Sequence, residues 1–320
     1  MAGTIGTPLL WGGFTLLVIL LLALDLGVFH RRVHVIHPRE ALLWTVFWIF
    51  LALVFNVGVY HWFGKARALE FFTGYLIEKA LSVDNIFVFV VIFTYFAVPP
   101  ELHHRVLFWG IVGALVLRAA FILAGAALIQ SFHWVIYIFG VFLIFTGAKL
   151  FLDRGSEVHP EKNPVFRLFR RFVRSVDGYR GARFFVTEDG VRYATPLLLV
   201  LVCIEATDVV FALDSIPAIF AITRDPFIVY TSNIFAILGL RALYFLLAGI
   251  IPKFRFLRIG LAVVLVFVGV KMVIEGLYEI PIVLSLSFIL VVLTLSVLLS
   301  WLIPEKAPAA DSGGGRAAGG

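Results

Sequence analysis

The chain has 320 residues, 62% of them hydrophobic and 14% charged, with a mean hydropathy of +1.04 and a net charge of +6. That balance excludes a disordered chain and an ordinary soluble domain, and it points to repeated passage through a bilayer. The single cysteine, Cys203, excludes an intrachain disulfide and a thiolate cluster, and it reads as a small buried hydrophobe.

A spanning helix needs about 20 mostly apolar residues. Nine stretches qualify: 8–29, 40–62, 70–97, 105–130, 133–152, 195–222, 227–250, 256–278 and 281–303. The first lacks a basic leader and a small-residue cleavage site, and His30, Arg31 and Arg32 follow it, so it reads as a span rather than a signal peptide. Asp25, near its end, reads as solvated at the interface. Residues 1–69 therefore hold two N-terminal spans, and 70–152 hold a unit of three.

The third span, IEKALSVDNIFVFVVIF, carries Glu78 and Asp84. The sixth, IEATDVVFALDSIPAIFAI, carries Glu205, Asp208 and Asp214. A carboxylate at mid-bilayer costs at least ~2.5–3.5 kcal/mol on an insertion scale. Placing Asp84 over Asp214 puts Glu78 over Asp208, an offset of 130. The next spans align Arg118 with Arg241 at an offset of 123, and the following ones Lys149 with Lys271 at 122. The order acid, arginine, lysine recurs in 195–278, a second three-helix unit. Three spans are an odd number, so the second unit enters from the opposite face. The fold class expected is all-α polytopic, with about nine spans and a three-plus-three inverted repeat, an architecture typical of secondary transporters.

Residues six apart lie ~120° apart around a regular helix and ~9 Å along it. One straight helix therefore cannot easily aim both of its acids at one ion. Either the two units share a composite site or their helices break. Pro217 favours a break in the second unit, because its missing N–H frees the carbonyl of Leu213. The candidate ligands are Glu78, Asp84, Asn85, Glu205, Asp208, Asp214 and Ser215. These are hard oxygen donors, and they suit Mn²⁺, Mg²⁺ or Ca²⁺ rather than Zn²⁺. Arg118 and Arg241 are the charge-balancing cations, either neutralising the acids permanently or holding the empty site until a dication arrives. Glu275 lies one turn from Lys271 and reads as its partner.

Between the units, 153–194 is a basic loop whose segment RLFRRFVRSV reads as a helix on anionic headgroups. Residues 279–306 hold the last span, and 307–320 form a Gly/Ala/Pro-rich, disordered tail. With the N-terminus outside, 18 of the 26 Lys and Arg residues fall on the cytoplasmic side and three on the other. That is a strong positive-inside signal. It accounts for the basic balance without a nucleic-acid partner, and it leaves the C-terminus cytoplasmic in a cell inner (plasma) membrane.

Five segments carry a family resemblance: TPLLWGGF (7–14), GYLIEKALSVDNIFVF (74–89), YATPLLLVL (193–201), IEATDVVFALDSIPAIFAIT (204–223) and SNIFAILGLRALYFLLAG (232–249). Together they resemble the TerC family of integral membrane proteins, closest to its Alx branch. The resemblance implies manganese export and a link to alkaline pH. For the wider group it implies tellurium resistance, and kinship with exporters of cations and small molecules.

The function expected is a secondary transporter exporting Mn²⁺ in exchange for protons. Glu78, Asp84, Asp208 and Asp214 would bind the ion, Glu205 would join them or carry a proton, and Asn85 and Ser215 would add neutral ligands. The alternative is a non-transporting scaffold, or a redox or stress-response module, whose acids and arginines form a structural network. An enzyme is disfavoured, since the chain has no nucleophile–base pair, phosphate loop or HExxH. No cofactor is expected beyond the transported ion, and no partner beyond the bilayer, Mn²⁺ and protons.

Overall fold

A computed structural model of the chain describes residues 4–29, 37–132, 134–152, 175–176, 178–188, 190–248, 255–274, 276–278 and 280–303. The helices are α1 (Pro8–Phe29), α2 (Pro38–Tyr95), α3 (Pro100–Ser131) and α4 (Val135–Leu152). After a two-stranded antiparallel hairpin, β1 (Phe185–Glu188) and β2 (Val191–Ala194), come α5 (Pro196–Phe220), α6 (Pro226–Leu238), α7 (Leu240–Leu247), α8 (Arg255–Ile274) and α9 (Ile282–Leu302). Five of these helices open on a proline, whose fixed φ suits the first helical position and whose missing N–H would be unpaired there in any case.

Six described helices are long and apolar enough to cross a membrane, or seven if the bent pair α6–α7 is one span. Lipid-facing surface is plain on them: Leu16, Phe50, Val116, Phe145 and Leu295 are all exposed. The chain is an all-α polytopic membrane protein, with the hairpin as a small exception. The stretches 40–62 and 70–97 both lie in α2, a 58-residue run whose helix is interrupted at Gly64 (φ 85, ψ 174). The stretch 227–250 becomes α6 and α7, bent by 41° at Gly239. The break expected at Pro217 is absent, and α5 runs through it to Phe220.

α2 packs on α6 and α3 packs on α5, while α2 meets α5 and α4 meets α8. At the last contact, a Cβ on Gly140 would stand 2.9 Å from the Gly269 carbonyl, and one on Gly269 only 2.6 Å from the Gly140 carbonyl. A Cβ on Gly147 would stand 2.8 Å from the Ala262 carbonyl. Gly140 to Ala262 and Gly147 to Gly269 are each an offset of 122, so the two contacts are reciprocal. Small residues let the two backbones touch, the usual basis of tight helix packing in lipid.

At one end of the bundle, Asp225 caps α6 by accepting from the Phe227 amide at 3.0 Å. The same carboxylate accepts from the Thr4 hydroxyl at 2.7 Å and the Ile5 amide at 2.8 Å, latching the chain's first residues to α6. Nearby in sequence, the Thr223 hydroxyl donates to Glu70 at 2.6 Å, and Glu70 also takes Arg67 at 2.7 Å. At the hairpin, Tyr179 donates to the Phe96 carbonyl at 2.7 Å. The hairpin occupies part of the basic loop, and most of the segment at 167–176 lies outside the described residues, as do the tail and Glu275.

Candidate functional site

Glu78, Ser82 and Asn85 recur at helical spacing on α2, so they share one face, and all three are buried. On α5, Asp208 and Ser215 are seven apart and likewise share a buried face. The packing of α2 on α5 and of α5 on α3 turns those faces towards Arg118 of α3.

The arginine is 0% exposed, and its guanidinium is fully engaged. Nη1 donates to Glu78 Oε1, to Ser215 Oγ at 3.2 Å and to Asn233 Oδ1 at 3.3 Å. Nη2 donates to Asp208 Oδ1 at 3.0 Å, and Nε to Asp208 Oδ2 at 3.3 Å. Asn233 Nδ2 completes the ring by donating to Glu78 Oε2 at 3.1 Å. Two carboxylates thus share one guanidinium, so the buried group carries a formal charge of −1. Water is a poor competitor here, and each charge-assisted bond is stronger than its exposed equivalent.

Glu205 is one turn earlier on α5. Its carboxyl lies against Gly113 of α3, in space that any side chain at 113 would fill. Its Oε2 is buried and has no hydrogen-bond partner. Asn85 Oδ1 is likewise buried without a partner.

The remaining expectations divide. Asp214 does not join the cluster. It lies ~120° around α5 from Asp208, and its neighbours are the Thr146 hydroxyl and the Lys149 ammonium of α4. Asp84 belongs to α2, but its side chain lies outside the described residues. Arg241 pairs with Asp25 of α1, which is buried at 4% exposure rather than solvated at the interface. Sequence reasoning missed Asn233, although an amide within an apolar helix was the same signal that had singled out Asn85.

A cavity beside the cluster is lined by Phe89, Gly110, Ala114, Asp208, Leu240 and Arg241, among others. Asp208 therefore meets Arg118 on one side and faces a space shared with Arg241. Among the described residues, no group of three or more His, Cys, Asp or Glu is placed to hold a metal ion. The donors that do converge are two carboxylates, one hydroxyl and one amide oxygen, all of them hard.

The model of the integral membrane protein TerC family matches residues 63–307. The chain is 55% identical over 309 residues to a Myxococcus xanthus protein described as "Uncharacterized membrane protein STKORF319", covering 97% of each. It is 49% identical over 307 residues to the Escherichia coli K12 protein "Putative membrane-bound redox modulator Alx", covering 93% of this chain and 95% of that one. A Rickettsia bellii membrane protein is 42% identical over 290 residues, covering 91% of this chain and 96% of its own length. No solved structure matches. With the acidic helices, the arginine helices and the matched span in agreement, the chain belongs to the TerC family of integral membrane proteins.

Proposed function

We propose that the protein exports a divalent cation, Mn²⁺ foremost, from the cytoplasm across the cell inner membrane in exchange for protons. One observation carries this reading. Glu78, Ser215 and Asn233 all offer oxygen to a single nitrogen, Arg118 Nη1, while Asp208 grips the rest of the guanidinium. A cation already stands where oxygens from three helices converge. The group retains one negative charge, and a dication taking the place of Arg118 would neutralise both acids without a second counterion. Hard oxygen donors favour Mn²⁺, Mg²⁺ or Ca²⁺ over softer metals.

In this reading Arg118 occupies the empty site and gives way to the ion. Glu205, with an unpaired buried oxygen one turn from Asp208, is the acid placed to carry a proton. The uneven distribution of basic residues supports an external N-terminus and a cytoplasmic C-terminus. Transport, not catalysis, is the proposed activity.

A second reading has its own support. Arg118 satisfies both acids, as a permanent structural bridge would, and relatives carry the description of redox modulator. The purified protein in vesicles containing a Mn²⁺-sensitive dye decides between the two. The expected result is Mn²⁺ entry driven by a pH gradient and lost in Asp208→Asn. Wild-type entry no faster than in protein-free vesicles would leave the structural reading standing.

A further inference from the structure

We infer that the seam between α2 and α5 is the path by which the ion leaves the Arg118 site, and that the Glu70–Thr223 hydrogen bond is the latch that keeps this path shut. The latch stands at the end of the bundle that bears Thr4, the outer face in the proposed orientation. The inference rests on the transport reading and deepens it.

The two helices run antiparallel and meet in rungs. Glu78 and Ser215 share Arg118, Gly74 meets Ile219, and Glu70 accepts from the Thr223 hydroxyl at 2.6 Å. Each rung is four positions further back along α2 and four further on along the chain of α5. Glu78 to Glu70 is therefore a rise of ~12 Å, and only one rung stands between them. That middle rung is tight. A Cβ on Gly74 would stand 3.1 Å from Ile219 Cγ2 and 2.8 Å from the Oγ of Ser232 on α6, and both of those residues are fully buried. The last rung is polar. The buried Thr223 hydroxyl donates to Glu70 and accepts from the Asp225 amide at 3.3 Å, while the Asp225 carboxylate holds Thr4 and Ile5. A single hydroxyl thus joins α2 to the corner that the opening segment straps down.

The opposite side of the cluster differs. The cavity that Asp208 lines reaches Phe89, Leu107 and Ile204. These stand eleven positions from Glu78, Arg118 and Ser215, on α2, α3 and α5, and on each helix the displacement is away from Thr223. Space beside the acids therefore lies towards the hairpin, and the packed seam lies towards Thr4. A site with space on one side and a closed seam on the other is what alternating access requires of one of its two states. An ion leaving along the seam has one glycine rung to pass and one hydrogen bond to part. Glu70 then offers it an anionic oxygen about two turns beyond Glu78.

Thiol labelling of the purified protein in Mn²⁺-free detergent tests the latch without asking whether ions move. In a Cys203→Ala background, Ser232→Cys puts a thiol at the middle rung. It is expected to react slowly with a maleimide. Adding Thr223→Val should speed the reaction at least about tenfold, the scale on which losing a hydrogen bond to a charged group shifts a local opening. Arg67 still pairs with Glu70 in that variant, so no acid is stranded. Thr223→Ser keeps the hydroxyl and should label as slowly as the parent. Val268→Cys, equally buried on α8, should stay protected throughout. If Ser232→Cys does not fold, Ile219→Cys reports the same rung while removing bulk rather than adding it. Equal labelling with and without Thr223→Val, fast labelling in Thr223→Ser, or exposure of Val268→Cys together with the rung would each overturn the inference. A lack of Mn²⁺ flux in vesicles would count against transport while leaving these rates as they are.

Discussion

Glu78 and Asp208, 130 positions apart, hold the same guanidinium through different nitrogens: Glu78 takes Arg118 Nη1, and Asp208 takes Nε and Nη2. Both acids take their charge-assisted bonds from the arginine, and the arginine is oversupplied with negative charge by having both. The arrangement is stable as it stands, yet it is one charge short of neutrality.

That imbalance separates the members of the cluster by mutation. Arg118→Gln leaves two carboxylates buried together, and it is expected to cost about 3–5 kcal/mol, the usual penalty for stranding one side of a buried pair. Added Mn²⁺ should restore much of the lost melting temperature in Arg118→Gln, and Mg²⁺ less. No recovery with any divalent ion would argue that the acids cannot hold one.

Glu78→Gln and Asp208→Asn each leave Arg118 one carboxylate. Both proteins should therefore reach the membrane at normal levels while losing Mn²⁺ flux in vesicles. Asp214→Asn is expected to retain most of its flux and to lose about 1–2 kcal/mol of stability, since it gives up only charge-assisted contacts with Thr146 and Lys149. Equal loss of flux in Asp208→Asn and Asp214→Asn would return Asp214 to the ion's path.

Glu205→Gln replaces a titratable carboxyl whose Oε2 has no donor. Folding should be unaffected to within about 1 kcal/mol. If Glu205 carries the coupling proton, Mn²⁺ movement in Glu205→Gln vesicles should no longer respond to an imposed pH gradient. Unaltered coupling would assign the proton elsewhere.

The α4–α8 contact yields a prediction about stability alone. Gly140→Val and Gly269→Val each insert a side chain where a carbonyl lies within 3 Å of the new Cβ. Each should cost at least about 1–3 kcal/mol, the range for overpacking. A lower melting temperature on fluorescence-detected size exclusion, with the acid cluster untouched, would check it.

Some of this was legible in the sequence. An offset of 130 matched Glu78 with Asp208, and those two acids do meet at Arg118. Which acids would meet Arg118 was not legible, since that depends on how each helix is rotated in the bundle. Asp214 sits ~120° around from Asp208 and so meets α4 instead. The pairing of Arg241 with Asp25 was hidden for another reason: Asp25 lies 216 positions away, on a helix outside the pattern of acid, arginine and lysine. Pro217 misled because α5 carries the lost bond to the Leu213 carbonyl without breaking, while the interruptions fall at Gly64 and Gly239, where there is no proline.

The latch at Asp225 also bears on how the protein is made. The carboxylate that secures Thr4 and Ile5 is synthesised 221 positions after Thr4. By then α1 to α5 have all been translated. The opening segment must therefore wait, unfastened, until α6 arrives and its first turn needs a cap. That long loop cannot close before α6 has been made. A bulky fusion ahead of Thr4 should retard maturation rather than insertion.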